Sequence, residues 1–465
     1  MKIEDLKNKK ITIMGLGLLG GGVGTVRFLF GAGAKLIVTD LKLKGELAPS
    51  LEKLKDLKNI EYVLGQHRPE DFVNTDMVVK SPPVSWNNKY IKLALEKNIP
   101  VEMDSSLFFK LCKNPIIGIT GTRGKTTTAT LIFEILKAAG KNALKVGVGQ
   151  IPALSKLNEI KKDSIVVFEL SSWRLSALER YKLSPQIAVI TNVYRDHLNY
   201  YKTMEDYIAD KKNVFLHQKH NDTCVINWDN ELIRNLGETV KSNLVRFSAN
   251  RISSGKAVFV EKGAIYFNNE VDEKKLMDIA DIKIRGIHNI SNILAAIGAC
   301  EAMGVDFSSM KKAITGFSGI PHRLEFVREI RGVKYFNDTA ATSPEGAIAG
   351  IGSFSEPIIL ISGGADKNLE VSELGKIIAE KIKGVIFLKG TATEKIINEV
   401  KKNISIDEKK EFTVVDSMVK AVELARNAAE VGDVVLLSPG VASFGLFQNE
   451  FDRGDKFKDA VKELK

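Results

Sequence analysis

The clearest chemical signal in the chain is a glycine-rich segment, GITGTRGKTTT, at residues 118–128. It lies between an apolar segment, PIIG, and a stretch rich in alanine, leucine and isoleucine, a context typical of a loop between a strand and a helix. Backbone N–H groups of such a loop bind phosphate oxygens, its lysine reaches the terminal phosphates, and the next hydroxyl ligates Mg²⁺. We therefore predict a nucleoside triphosphate site centred on Lys125 and Thr126.

Two further residues have the chemistry of metal ligands and stand where predicted strands end. Glu169 closes the apolar run SIVVFEL, and His197 lies in NVYRDH, just after the strand QIAVITNV. In open α/β sheets, ligands bind at the edge where the carboxyl ends of the strands meet. We expect a carboxylate and an imidazole beside the phosphate loop.

A second glycine-rich segment, GLGLLG, occupies residues 15–20 between the strand KKITIMG and a helix. Asp40 ends the next strand, twenty residues after Gly20. This spacing matches a fingerprint for nucleotides that carry a diphosphate, because the glycines let the backbone approach the pyrophosphate. The alternative is a tight turn in which glycine is needed only for packing.

The elements that would hold these motifs alternate between strand and helix in three stretches of the chain. The second stretch begins near residue 115. It contains short strands between 245 and 285, among them ADIKI and a hairpin arm GAIYFNN, and continues into a helix at 289–303. The third begins near residue 320, with the strands VKYFND, PIILISGG, GVIFLKG, FTVV and DVVLLSPG. Alternating strands and helices predict parallel α/β layers, and we divide the chain into domains at 1–104, 105–319 and 320–465.

Composition excludes several classes of protein. The 465 residues are 44% hydrophobic and 27% charged, which argues against a disordered, fibrous or disulfide-stapled chain. No apolar run reaches 18 residues, the N-terminal segment lacks a signal cleavage site, and the three cysteines form no CxxC motif. The net charge of +10 is not gathered into a basic helix. We expect a cytoplasmic protein that binds neither nucleic acid nor membrane.

Taken in order, GITGTRGKTTT, ELSSW, NVYRDHLNYY, IHNISN, GIPHRLE and FNDTAAT resemble the motifs of the Mur ligase family. The closing segment, LLSPGVASFGLFQNEFDRG, resembles the family members that add D-glutamate. The resemblance implies an N-terminal Rossmann-like UDP-binding domain, a central P-loop ATPase domain and a C-terminal Rossmann-like domain for the amino acid. It also implies an enzyme that uses ATP to join D-glutamate to UDP-N-acetylmuramoyl-L-alanine through an acyl phosphate, in peptidoglycan precursor synthesis. We expect this enzyme to be a monomer.

The resemblance also assigns residues to ATP and to the metal. The ATP ligands would be Gly121, Thr122, Arg123, Gly124, Lys125, Thr126, Thr127, Asn289, Arg323 and Asp338. Mg²⁺ would be held by Thr126, Glu169, His197 and a carbamylated lysine that matches Lys211. Lys125, Glu169, His197 and Lys211 form the predicted catalytic set, and the neighbouring Lys212 is the weaker candidate for carbamylation.

Two groups of residues would contact the substrates. Those for the nucleotide sugar are Leu18, Leu19, Asp40, Ser81, Gln150 and Arg174. Those for D-glutamate are Lys367 as the cation for a carboxylate, Thr342 and Ser443 as hydroxyl donors, Phe444 as a pocket wall and His322 as a positioning residue.

The chain departs from the family pattern at two informative places, and these keep other readings open. Ala340 stands where the family often has lysine, and Arg174 stands where it has glutamine. One alternative is a Mur-type ligase for a different amino acid or nucleotide sugar, or a folylpolyglutamate-like ligase. An NAD-dependent dehydrogenase would use the first glycine loop and Asp40 but leaves the phosphate loop unexplained. A P-loop motor or nucleic-acid ATPase would require a nucleic-acid module, and the sequence offers none.

Overall fold

The computed structural model describes residues 1–18, 20–148, 152–195, 200–404 and 412–464. The chain separates into two compact units, one formed by Met1–Ile279 with Ser291–Ile314 and the other by Ala280–Ile290 with Thr315–Lys465. The described strands of the first unit form two sheets, and those of the second form one.

The first sheet has five parallel strands, ordered β3-β2-β1-β4-β5. The strands are β1 (Lys10–Met14), β2 (Lys35–Asp40), β3 (Glu61–Leu64), β4 (Met77–Lys80) and β5 (Val101–Glu102). Its helices are α1 (Gly21–Gly31), α2 (Ala48–Glu52), α3 (Glu70–Val73), α4 (Lys89–Glu96) and α5 (Asp104–Leu111). The direction of the strand order reverses between β1 and β4, which makes the loops after these strands the natural ligand-binding edge.

The second sheet has nine strands, ordered β14-β13-β12-β11-β10-β9-β6-β8-β7. They are β6 (Ile116–Thr120), β7 (Ala143–Val146), β8 (Ile165–Glu169), β9 (Ile187–Ile190), β10 (Thr223–Asn227), β11 (Asn243–Ser248), β12 (Ala257–Glu261), β13 (Ala264–Asn268) and β14 (Glu273–Asp278). The associated helices are α6 (Lys125–Ala138), α7 (Ser172–Arg180), α8 (Met204–Lys212), α9 (Glu231–Gly237), α10 (Ile287–Ala302) and α11 (Phe307–Gly316). The central strand β6 is buried along its whole length, so the loop that follows it starts from a rigid base.

The sheet of the second unit has six strands, ordered β15-β16-β20-β17-β18-β19. They are β15 (Glu325–Ile330), β16 (Val333–Asn337), β17 (Ile358–Ser362), β18 (Gly384–Leu388), β19 (Thr413–Val415) and β20 (Val434–Leu437). Its helices are α12 (Pro344–Ile351), α13 (Ser372–Lys381), α14 (Thr393–Lys402), α15 (Met418–Ala428) and α16 (Glu450–Glu463). The predicted α/β fold class with three parallel-rich sheets is confirmed.

Two details differ from the sequence-based prediction. The segment ADIKI is not a strand, because β14 ends at Asp278 and a short 3-10 helix, Ile279–Asp281, follows it. The structure also adds β15, which pairs antiparallel with β16 and has three exposed and three half-buried residues. An edge strand with an exposed face lacks the continuous apolar run by which buried parallel strands are found.

Among the described residues, every helix is too short or too polar to cross a bilayer.

Candidate active site

The predicted phosphate loop forms the connection between β6 and α6, at residues 121–124. Gly124 caps the helix in the left-handed region, with φ of 81°. A Cβ on Gly124 would lie 2.2 Å from Oδ1 of Asn292, so only glycine fits this turn. The free N–H groups at the start of α6 and the helix dipole together favour an anion at this position.

The loop is held in place by the two residues that follow the neighbouring strand β9. Backbone N–H of Thr122 donates to the carbonyl of Asn192 at 2.9 Å, and N–H of Arg123 donates to Oδ1 of the same asparagine at 2.8 Å. The hydroxyl of Thr191 donates to the Arg123 carbonyl at 2.6 Å. Asn192 therefore shapes the loop, a role that its place in the NVYRDH motif did not predict.

The side chain of Lys125 lies over the same loop. Its Nζ donates to the carbonyls of Gly121 and Thr122, at 3.0 and 3.1 Å. Since this ammonium lies at the loop that precedes α6, it can meet the oxygens of a phosphate bound there. Thr127, the last residue of the predicted phosphate set, is half-buried in the first turn of the helix.

A hydroxyl and a carboxylate meet beside the loop. Oγ1 of Thr126 donates to Oε2 of Glu169, at the end of β8, across 2.9 Å. Hydroxyl and carboxylate oxygens are the ligands that Mg²⁺ prefers, so this pair fits a magnesium ion bound to phosphate. Over the part of the chain that the structure describes, no three histidine, cysteine, aspartate or glutamate side chains converge as a metal site. His197 lies outside the described residues.

Lys211 is buried on α8, with 1% of its side chain exposed. Its Nζ lies 4.5 Å from the ring centre of Tyr207, and the Tyr207 hydroxyl is 3.2 Å from Oγ1 of Thr122 in the phosphate loop. Lys212, by contrast, is half-buried. Of the two lysines, Lys211 is the one that lies on the face of α8 directed at the phosphate loop through Tyr207.

At the first sheet, Asp40 turns towards the glycine loop. Its Oδ2 accepts the N–H groups of Leu16 and Gly17 at 2.9 and 3.0 Å, and its Oδ1 accepts N–H of Lys42 at 2.9 Å. The carboxylate therefore fixes the shape of the loop, and Leu18 at the tip is left 47% exposed. Leu19, also predicted as a contact, lies outside the described residues.

Arg174 is engaged in a buried ion pair. Its Nη2 and Nε donate to the two oxygens of Asp104, at 2.8 and 3.4 Å, and its Nη1 reaches the carbonyl of Gly147 at 3.5 Å. Burial opposes its charge, but attraction to Asp104 and Glu169 prevails and the pKa of Arg174 is raised. Gln150, predicted in the segment after Gly147, lies outside the described residues.

The second unit contains the remaining predicted nucleotide contacts. Asp338 is buried at the end of β16, where it accepts the Ser438 hydroxyl at 2.9 Å and N–H of Leu324 at 3.2 Å. Burial raises the pKa of Asp338 to about 7. Arg323 is exposed, and its positive charge acts to lower the pKa of the Asp338 carboxyl. Asn289 is buried and donates to the carbonyl of Arg285 at 2.7 Å.

His322 is oriented by the same sheet. Its ring nitrogen Nδ1 lies 3.2 Å from Nδ2 of Asn337, and its backbone N–H donates to Glu325 at 2.8 Å. Burial lowers the pKa of His322. Its carbonyl accepts N–H of Ala340 at 3.0 Å, so His322 is connected to the loop that follows β16.

The residues predicted for D-glutamate lie in loops that follow the adjacent strands β16, β20 and β17. Thr342 is half-buried after β16, and Ser443 is buried and Phe444 is 55% exposed after β20. Lys367, after β17, is exposed and lies with its Nζ 5.2 Å from the Phe444 ring centre. These loops lie at the carboxyl edge of the same sheet, and their role in binding an amino acid stays a prediction.

Arg453 is a residue that the motifs did not single out, yet it connects two of these loops. It is fully buried on α16, and its Nε and Nη2 donate to Oγ1 and the carbonyl of Thr339 at 2.9 and 3.0 Å. Its Nη1 donates to the carbonyl of Val441 at 3.3 Å. In the sequence, Arg453 could have been noticed only as a charged residue four positions after Asn449, the residue that caps α16.

Models of known families match most of the chain. "Mur ligase MurD-like, N-terminal domain" matches residues 9–102, "Mur ligase middle domain" matches 119–300, and "Mur ligase, glutamate ligase domain" matches 322–441.

Curated relatives match along nearly the full length. A UDP-N-acetylmuramoylalanine–D-glutamate ligase from Roseiflexus sp. (strain RS-1) is 40% identical over 99% of this chain and 100% of its own. A ligase of the same name from Borreliella afzelii (strain PKo) is 40% identical and covers 100% of both chains.

Solved structures share the fold. UDP-N-acetylmuramate-alanine ligase from Thermotoga maritima has a TM-score of 0.61 at 19% identity, covering 98% of this chain and 100% of its own. MurF ligase from the same organism, solved in complex with ADP, has a TM-score of 0.57 at 17% identity and covers 99% of this chain and 97% of its own.

Proposed function

The chain belongs to the Mur ligase family, and we propose that it joins D-glutamate to UDP-N-acetylmuramoyl-L-alanine at the expense of ATP. The name shared by full-length relatives at 40% identity supports this substrate pair. The observation that carries the chemistry is the contact between Thr126 and Glu169 beside Lys125, since together they supply metal ligands and a cation at the phosphate loop. The product would be a precursor of peptidoglycan.

The reaction proceeds in two steps. A carboxylate oxygen of the alanyl group attacks the γ-phosphorus of ATP, the bond to the bridging oxygen breaks, and ADP leaves. The D-glutamate nitrogen then attacks the acyl carbon, loses a proton, and phosphate leaves from the tetrahedral intermediate as the amide forms. Negative charge builds on the phosphoryl oxygens in the first step and on the acyl oxygen in the second, so fixed cations and N–H donors lower both barriers.

Residues of the central domain would hold the triphosphate. Lys125 and the N–H groups of 121–127 bind its oxygens, while Mg²⁺, held by Thr126 and Glu169, would neutralise phosphate charge. His197 and Lys211 complete the proposed metal set. Lys211, which is buried on α8, would contribute as a carbamate, because a carbamate offers the metal a carboxylate in place of the ammonium.

The N-terminal and C-terminal domains would provide most of the residues that bind the two substrates. Leu18, Leu19, Asp40 and Ser81 of the N-terminal domain would contact the nucleotide sugar, together with Gln150 and Arg174 of the central domain. The hydrogen bonds from the glycine loop to Asp40 and from Arg174 to Asp104 support this proposal. Thr342, Lys367, Ser443 and Phe444 would receive D-glutamate, with His322 as a positioning residue. Asn289, Arg323 and Asp338 would complete the nucleotide site. We keep the domain limits at 1–104, 105–319 and 320–465.

We also propose that the protein is a cytoplasmic monomer. The three cysteines support a reducing compartment, because all are buried and free.

Phosphate release tests the proposed function. ATP, Mg²⁺ and UDP-N-acetylmuramoyl-L-alanine are supplied together, and D-glutamate, L-glutamate, D-alanine and L-alanine are added separately. We expect release only when both the nucleotide sugar and D-glutamate are present. Release with another amino acid would overturn the substrate assignment, and ATP turnover without either substrate would overturn the ligase assignment.

A further inference from the structure

The loop after β4, residues 81–88, lies at the edge where the strand order of the first sheet reverses. It packs directly against the glycine loop after β1: a Cβ on Gly15 would lie 2.8 Å from Cβ of Ser81. The N–H of Ser81 also donates to the carbonyl of Met14 at 2.8 Å. The loops after β1 and β4, which would both contact the nucleotide sugar, therefore depend on each other for their positions.

Trp86 fastens this loop to the central domain. Its indole Nε1 donates to Oγ of Ser176 on α7 at 2.8 Å. The Ser176 hydroxyl in turn donates its hydrogen to the carbonyl of Trp173 at 2.7 Å. The lone pairs of the Ser176 oxygen therefore remain for the bond from the Trp86 indole. Indole is a donor only, and a half-buried indole N–H generally requires such an acceptor.

Two basic residues hold the same ring from different domains. Cζ of Arg180, on α7, lies 4.0 Å from the Trp86 ring centre, and Nζ of Lys80, at the end of β4, lies 4.3 Å from it. Nζ of Lys80 also donates to the carbonyl of Val84 within the loop at 2.7 Å. Burial lowers the pKa of Lys80 to about 7, but the ammonium and the amine both carry N–H, so the bond to Val84 holds in either form.

Helix α7 connects this contact to the triphosphate site. It begins at Ser172, three residues after Glu169, which accepts the hydroxyl of Thr126. The same helix holds Asp104 through Arg174. Displacement of loop 81–88 relative to α7 would therefore move the nucleotide-sugar site relative to the metal carboxylate.

We propose that Trp86 is a positioning residue for the nucleotide sugar, and that its hydrogen bond to Ser176 holds loop 81–88 in the position that binds this substrate. The inference rests on the proposed function, because it takes the nucleotide sugar to be the ligand of this edge. It assigns Trp86 no contact with the reacting atoms.

The test is a double-mutant cycle with Trp86→Phe and Ser176→Ala, which remove the donor and the acceptor of one hydrogen bond. Each change should raise KM for the nucleotide sugar about three- to tenfold, the range for one lost hydrogen bond. The double variant should be no worse than the worse single variant, since the bond can be lost only once. The values of kcat and of KM for ATP and D-glutamate should stay within about twofold.

Trp228→Phe is the matched control, because Trp228, directly after β10, makes a similar contact with an arginine: Cζ of Arg246 lies 5.1 Å from its ring centre. Its KM values should equal those of the wild type. Dissociation constants for the nucleotide sugar, measured by isothermal titration calorimetry, should rank the variants in the same order as KM.

The outcomes separate this inference from the proposed function. Wild-type protein that neither bound nor ligated the nucleotide sugar would overturn both. Wild-type protein that ligated it, while Trp86→Phe and Ser176→Ala behaved like Trp228→Phe, would overturn this inference alone. Effects of the two changes that multiplied in the double variant would also overturn it, because they would show that the residues act independently.

Discussion

The hydroxyl of Thr126 donates a hydrogen bond to Oε2 of Glu169 across 2.9 Å, although 43 positions separate the two residues in the chain. The contact exists because β6 and β8 are neighbouring parallel strands, so the loop after one meets the last residue of the other. Two oxygen ligands are thereby preformed at the phosphate loop, before any nucleotide binds. Catalysis by the proposed mechanism depends on this arrangement.

Replacing Lys125 with alanine should reduce turnover about 10²-fold or more, the scale seen when a preorganised charge is removed from a transition state. The change removes the cation that lies over Gly121 and Thr122. Phosphate release at saturating substrate measures the effect. Lys137→Ala is the control, since Lys137 is exposed in the last turn of the same helix and should give normal turnover. Near-normal turnover of Lys125→Ala would refute the assignment of the loop.

Replacing Lys211 with alanine should nearly abolish turnover, and short carboxylic acids such as formate or acetate should restore part of it. The reason is that a carbamate differs from the free amine in offering a carboxylate to the metal. Lys212→Ala should remain active and should not respond to these acids. Equal loss in both variants, or loss at Lys211 with no rescue, would contradict carbamylation at this residue.

Asp338→Asn should change how stability depends on pH. Burial raises the pKa of Asp338 from 3.8 to about 7, so between these values the folded protein holds a proton that the unfolded chain has lost. Stability of the wild type therefore falls as pH rises through this range. About three pKa units correspond to about 4 kcal/mol in the free energy of unfolding, and asparagine should remove this slope.

Urea unfolding of both proteins without ligand, at several pH values from about 4 to about 8, measures the difference. We expect Asp338→Asn to gain stability relative to the wild type towards high pH. A constant difference between the two proteins would show that the carboxyl does not titrate in this range.

Replacing Arg453 with methionine should damage the D-glutamate site as well as the fold. The carbonyls of Thr339 and Val441 would lose a buried donor, at a cost of about 2–4 kcal/mol. Because the loops that contain them also contain Thr342 and Ser443, we expect KM for D-glutamate to rise about tenfold while KM for the nucleotide sugar is unchanged. Lys456 is exposed on the same helix, and Lys456→Met should change neither the stability nor KM for D-glutamate. A lower urea midpoint with an unchanged KM would reduce the role of Arg453 to stability.

Much of this site is predictable from sequence, and the part that is not has a physical reason. Lys125, Thr126 and Glu169 are predictable because their chemistry is local to a loop or a strand end. Asp40 was placed correctly at the end of its strand, but its bonds to Leu16 and Gly17 depend on the folded shape of the glycine loop.

Contacts between distant segments could not be predicted. The pairs Arg174–Asp104 and Tyr207–Thr122 join residues 70 and 85 positions apart, and no local pattern specifies them. For Lys211 and Lys212 the resemblance already favoured Lys211, and the structure adds that Lys211 is buried while Lys212 is half-buried. Strand β15 was missed because its exposed face obscures the apolar pattern.

The most direct test of the central claim follows an oxygen atom. UDP-N-acetylmuramoyl-L-alanine labelled with ¹⁸O in the alanine carboxylate is incubated with the enzyme, ATP, Mg²⁺ and D-glutamate, and the released phosphate is analysed by mass spectrometry. Attack by the carboxylate on ATP followed by amide formation leaves one labelled oxygen on each phosphate, and labelled phosphate should appear only when D-glutamate is present. Unlabelled phosphate formed at the rate of turnover would contradict the acyl-phosphate mechanism.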